Sequence, residues 1–169
     1  MIHVCPLNAV DRIIARYRPS HVMSLLTPEM MIGTPKGIAA QNHLQLCLND
    51  IARPEEGLKE PESRHVQKLI GFLQDWPQDA PLLIHCWAGI SRSTAAAFIA
   101  MCLFNPDEME VALAKILRFH APEASPNPLL VAHADAILGR KGRMRKAIMN
   151  IGRGQTAFEG THFTLPVYL

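Results

Sequence analysis

Ile84-His85-Cys86-Trp87-Ala88-Gly89-Ile90-Ser91-Arg92-Ser93-Thr94 is the stretch from which the rest of this chain is read. Cys86 and Arg92 stand six positions apart, with His85 before the Cys, Gly89 between them and Ser93 after the Arg. The apolar run Pro81-Leu82-Leu83-Ile84 in front reads as the end of a buried strand. The run from Thr94 to Phe104 behind, rich in Ala and large apolar residues, reads as a helix. A strand that turns through a short loop into a helix N-terminus gathers backbone N–H groups and the helix dipole on one spot, which makes an anion site. Such a field favours the thiolate of a Cys placed at its mouth. Arg92 adds a planar fork able to grip two phosphate oxygens.

Working outward, strand and helix patterns alternate. Residues 2–6 read as a first strand, and residues 9–17 as a helix with Val10, Ile13, Ile14 and Tyr17 on one face, capped by Asn8 and stopped by Pro19. Residues 21–26 are a second strand and 43–48 a third. Between them, 27–38 carries Pro28, Gly33, Pro35 and Gly37 and reads as a loop. A further loop, 49–61, is followed by an amphipathic helix over 62–76 that buries Val66, Leu69, Ile70 and Leu73. Residues 81–85 form the fourth strand. Helices follow at about 92–104, 107–119 and 127–139, then a basic helix near 142–150 and a Gly- and Thr-rich tail from 152. The fold class expected is α/β: a mostly parallel central sheet of about four strands, helices on both faces, and a helical C-terminal half. Such sheets place their sites at the carboxyl ends of the strands.

The 169 residues fit a single domain, 1–169, with 152–169 as a tail of uncertain order. Nothing approaches the length of apolar chain that spans a membrane, and the N-terminus has no secretory pattern. Cys5, Cys47, Cys86 and Cys102 lack the spacing of a zinc site or a disulfide framework, so a reducing, cytoplasmic setting is expected, with no metal and no cofactor. His21, His43, His65, His120 and His133 read as surface or satisfied core residues. Arg140, Lys141, Arg143, Arg145, Lys146 and Arg153 crowd late in the chain and read as a solvated face, with a docking patch for acidic or phosphorylated substrates as the alternative.

The segment 84–94 resembles the signature loop, His-Cys-any five-Arg-Ser/Thr, of the cysteine-dependent protein tyrosine phosphatase superfamily. Its core, Ala88 to Ser93, is most similar to the small dual-specificity phosphatases. The run from Leu117 to Asn127 resembles their Arg…Pro-Asn segment, which opens a late helix, with Asn127 as its cap. The resemblance usefully covers residues 43–135. The loop 27–41 has no counterpart in that pattern, and the chain lacks the aromatic recognition loop of the large tyrosine-specific enzymes.

The resemblance implies hydrolysis of phosphate monoesters without a metal. Cys86 would be the nucleophile, forming a cysteinyl-phosphate. The backbone of Trp87, Ala88, Gly89, Ile90, Ser91 and Arg92, with the Arg92 side chain, would cradle the phosphoryl group. Ser93 can donate its hydroxyl to the Cys86 sulfur, and His85 points away and pins the loop. Gly89 supplies a backbone angle or a close approach, and Trp87 either forms the rim or packs on the neighbouring helix. The general acid is an Asp in the loop after the third strand, and Asp50 matches; Glu55 and Glu56 share that loop as alternatives. Asp75 and Asp79 precede the fourth strand, roughly 15–20 Å away at its other end. The expected partner is a phosphorylated protein or peptide, phosphotyrosine first and phosphoserine or phosphothreonine next, or else a small phosphate ester; neither nucleic acid nor membrane is expected. A phosphoinositide phosphatase is disfavoured because Trp87 to Ser91 carry no charge. A sulfurtransferase is disfavoured by the Cys-to-Arg spacing and by Asp50, and a phosphate-binding module without catalysis by the presence of Cys86, Arg92 and Asp50 together. Among the other thiols, Cys47 is the expected disulfide partner of an oxidised Cys86.

Overall fold

A computed structural model describes all 169 residues. The elements are β1 (Ile2–Pro6), α1 (Val10–Tyr17), β2 (His21–Leu26), β3 (His43–Cys47), α2 (Ser63–Asp75), β4 (Leu82–Cys86), α3 (Arg92–Phe104), α4 (Glu110–His120), α5 (Pro128–Ile137), α6 (Arg143–Ile151) and β5 (Phe163–Leu165). The strands form one sheet in the order β3-β2-β4-β1-β5. The first four are mutually parallel, so all four run their carboxyl ends to one edge. β5 is a fifth strand, antiparallel to β1, with Val4 opposite Phe163.

Alternate strand residues serve two cores, as the pleat requires. Ile2, Val4, Met23, Leu25, Leu46, Leu82, Ile84 and Cys86 join the large cluster beneath α2 to α6. Cys5, Val22 and Leu83 face the other way, onto Ala9, Val10 and Ile13 at the start of α1. The central helix α3 is buried from Arg92 to Cys102, which suits its small, apolar composition. No helix is long and apolar enough to cross a membrane.

Three local expectations change. Asn8 does not cap α1: a 3-10 turn, Leu7–Ala9, leads into that helix, and the Asn8 side-chain amide donates to Glu159 instead, 2.9 Å away. The tail is built into the fold through β5. The late basic run is not uniformly solvated, because Arg140 is buried where α4 meets α6 and donates to Glu110 at 3.1 Å and to the Pro106 carbonyl at 2.9 Å. Arg143 reaches the same Glu110 from the surface at 3.0 Å, while Lys141, Arg145, Lys146 and Arg153 are exposed.

Candidate active site

The parallel strands bring the end of β4 and the end of β3 to the same edge. Cys86 closes β4, and α3 begins at Arg92, so Trp87 to Ser91 must turn within one tight loop. The turn depends on Gly89, whose φ is +73°. A Cβ there would lie 2.8 Å from the Pro6 nitrogen and 3.0 Å from the Cys5 carbonyl carbon. Both the angle and the close approach expected of this glycine are therefore present.

Four of the loop's five carbonyls are held by donors from elsewhere, the exception being that of Gly89. Leu7 N–H donates to Trp87 O at 3.0 Å, and Gly160 N–H to Ala88 O at 2.8 Å. Ser125 N–H donates to Ile90 O at 2.9 Å, and Asn127 N–H to Ser91 O at 3.2 Å. The Thr94 hydroxyl also reaches the Ile90 and Ser91 carbonyls. With the carbonyls engaged outside, the N–H groups face the concave side. Gly89 N–H donates to Cys86 Sγ at 3.3 Å, whereas those of Ala88, Ile90, Ser91 and Arg92 donate to no group of the chain.

Cys86 Sγ also lies 3.1 Å from Ser93 Oγ, at the first turn of α3. Arg92 is buried, 5% exposed; its Nη1 donates to the Leu48 carbonyl at 3.0 Å, and its Nε has no hydrogen-bond partner. The atom facing that Nε is Asp50 Oδ2, 3.8 Å away. A buried, unpaired guanidinium N–H costs free energy that an anion in the loop would recover.

Asp50 sits on this edge, directly past β3. Its Oδ1 accepts from Ser91 Oγ at 2.6 Å and from Asn127 Nδ2 at 2.9 Å. Asn127 also caps α5, its Oδ1 accepting from the amides of Leu129 and Leu130 at 3.1 and 3.2 Å. It therefore does more than the capping read from sequence: it clamps the carboxylate to the loop. Glu55 and Glu56 are exposed and bond to none of these residues. Asp79 lies beside His21, at the amino ends of the strands, as its position before β4 requires.

His85 Nε2 is 2.6 Å from Ser24 Oγ on β2, and the same hydroxyl is 2.8 Å from His43 Nε2 on β3. His43 Nδ1 in turn meets Thr34 Oγ1 at 3.2 Å. Burial pushes the His85 imidazole down to about 4, with the Cys86 backbone opposing, so the ring is neutral at pH 7. A neutral ring has one donor and one acceptor, and a hydroxyl between two such rings donates to one and accepts from the other. This polar thread ties β2, β3 and β4 together beneath the loop. Ser24, a hydroxyl set among Val22, Met23, Leu25 and Leu26, is the sequence signal for it.

Trp87 is 40% exposed, its ring edge-on against Phe158 from the tail. No group of three or more His, Cys, Asp or Glu side chains is arranged to hold a metal ion.

Comparison of the whole chain with solved structures places this geometry. The human tyrosine phosphatase-like serine/threonine/tyrosine-interacting protein superposes with a TM-score of 0.63 at 16% identity, over 83% of this chain and 92% of the other. Human DUSP28 gives 0.61 at 14% identity, over 88% and 94%, and DUSP15 gives 0.60 at 18% identity, over 88% and 90%. This chain has the fold of the dual-specificity phosphatases. The phosphatase fold is reached at low identity: no protein-family model matches the chain, and no curated protein matches its sequence. Fold and signature loop thus coincide, with the loop on the sheet edge that the sequence assigns to it.

Proposed function

We propose that this chain hydrolyses phosphate monoesters through a Cys86 thiolate, with phosphotyrosine in proteins or peptides as the first substrate and phosphoserine or phosphothreonine as further ones. The observation that carries the reading is the sulfur at the start of a loop with four of its five carbonyls held by donors outside it. A phosphoryl group over Cys86 would meet inward N–H groups and the Arg92 Nε, the arrangement that stabilises charge on a transferring phosphoryl.

In the first step the sulfur attacks phosphorus, the P–O ester bond breaks, and Asp50 gives a proton to the leaving oxygen. In the second, Asp50 takes a proton from water as that water attacks phosphorus. The S–P bond then breaks, and inorganic phosphate leaves. Ser93 Oγ, at 3.1 Å, donates to the departing sulfur. Ser91 and Asn127 position Asp50 for both transfers. No step calls for a metal or cofactor.

The test is hydrolysis of phosphotyrosine, phosphoserine and phosphoinositide substrates with EDTA present. Cys86→Ser should abolish turnover while phosphate or vanadate still binds. Turnover surviving in that variant, or a requirement for added divalent metal, removes the thiolate mechanism. A preference for phosphoinositides over phosphotyrosine peptides reverses the substrate ranking.

A further inference from the structure

Trp87 follows the proposed nucleophile directly, and the ring set against it belongs to Phe158, near the other end of the chain. The two centroids are 5.4 Å apart, with the planes at 80°. Both rings are open, Trp87 at 40% and Phe158 at 82% exposure. Adjacent exposed aromatic rings beside a polar cradle leave apolar surface in water unless a ligand covers it.

The tail does not lie there loosely. Before Phe158, Arg118 donates to the carbonyls of Ile151, Gly152 and Ala124 at 2.7, 2.8 and 2.8 Å. Gly154 N–H reaches Ser125 Oγ at 3.1 Å, and Gln155 N–H reaches Pro122 O at 3.0 Å. After Phe158, Asn8 holds Glu159, Gly160 N–H holds the Ala88 carbonyl, and Thr161 N–H donates to Glu123 Oε1 at 2.8 Å. β5 then anchors the strap to β1. Gly160 comes so close that a Cβ there would be 3.2 Å from Gly89 O and 3.3 Å from Ile90 Cγ1. Phe158 is the tip of a strap tied down on both sides against the phosphate loop.

We propose that Trp87 and Phe158 form an aryl-binding wall at the mouth of the cradle, which favours the ring of phosphotyrosine over the alkyl side chains of phosphoserine and phosphothreonine. This rests on the phosphatase reading above. With the phosphate held by the loop, the group it esterifies extends toward solvent, and Trp87 is the loop's one exposed aromatic side chain. An aromatic ring there can pack on Trp87 and Phe158 together, whereas a serine side chain brings no ring. One aromatic pair contributes about two- to tenfold in affinity.

The experiment measures binding to the Cys86→Ser chain by calorimetry. The ligands are inorganic phosphate, a phosphotyrosine peptide, and the same peptide carrying phosphoserine. Phe158→Ala in that background should weaken the phosphotyrosine peptide about two- to tenfold, leave the other two ligands unchanged and keep the melting temperature, and Phe158→Tyr should restore the loss. Equal weakening of all three ligands would mean that Phe158 only props the loop, and undiminished phosphotyrosine binding would mean there is no wall; either result overturns the proposal while the phosphatase reading stands. Failure of inorganic phosphate to bind even with Phe158 intact removes the cradle, and with it both readings.

Discussion

Replacing Gly89 by Ala tests the loop where its geometry is tightest. The left-handed backbone, φ +73°, costs an L-residue about 1–2 kcal/mol. The new methyl would also sit 2.8 Å from Pro6 N and 3.0 Å from the Cys5 carbonyl carbon. Both are backbone atoms of β1, which is paired on one side with β4 and on the other with β5, so the loop must give way rather than the strand. Forcing a carbon into a filled space adds about 1–3 kcal/mol. The sum, about 2–5 kcal/mol, corresponds to a melting temperature lowered by about 4–20 °C for a chain of this size. Displacing the cradle by even 1 Å should lower kcat on an aryl phosphate by about 10²-fold. Gly139→Ala is the control: its φ is +65°, yet nothing lies within 4 Å of the added carbon. It should carry only the backbone penalty and keep full activity. The two variants are compared by thermal melts and steady-state kinetics. A Gly89→Ala chain no worse than Gly139→Ala in both would show that the approach to β1 does not shape the site.

Asp50→Ala should lower turnover of phosphotyrosine by about 10²–10⁴-fold but affect nitrophenyl phosphate less, because a good leaving group needs the proton least; loss in Glu55→Ala or Glu56→Ala instead would reassign the acid. Burial lowers His85 from the usual 6.5 to about 4, so its contribution to stability is complete above about pH 6.5 and is lost as pH falls through 4. The lost amount is about 3 kcal/mol, and His3, also pushed to about 4, acts in the same direction; urea midpoints at pH 7.5 and 4.5 check this, and equal midpoints would refute it. Cys47 is on β3, two strands from β4, which puts it about 10 Å from Cys86, beyond disulfide reach without movement of the backbone. Mild peroxide should therefore give oxidised Cys86 without a Cys47 link by mass spectrometry, the reverse of the expectation from sequence; recovery of that link would show that β3 or the loop moves.

What could be read from the sequence was local. The strand, loop and helix around Cys86 followed from an apolar run, one glycine and a helical period within a few residues. Asp50 was reachable because parallel strands send the residues after β3 and β4 to one edge. The rest depends on residues far apart. β5 is three residues long, and its partner β1 opens the chain, so no local pattern announces it. The burial of Arg140 depends on Glu110, one helix earlier, and charge alone cannot distinguish that from a solvated face. Asn8 has the residue type of a cap, but its amide is taken by Glu159. Phe158 stands in a segment with no periodicity at all, and only the folded tail shows its place.

The loop shows why so distributed a fold is needed for so short a motif. For the N–H groups to converge, the carbonyls must point away, and a buried carbonyl without a donor is costly. Within the signature only the Thr94 hydroxyl helps, at the Ile90 and Ser91 carbonyls. The other donors come from the turn before α1 through Leu7, from the segment before α5 through Ser125 and Asn127, and from the tail through Gly160. Each lies outside the eleven residues that carry the recognisable pattern. Backbone N–H groups make these bonds, so at Leu7 and Ser125 the bond itself does not depend on the side chain, whereas Gly160 is confined by its close approach and Asn127 by its side-chain bonds. The tail thereby becomes part of the loop's support: a chain ending before Gly160 would leave the Ala88 carbonyl, two residues past Cys86, without its partner.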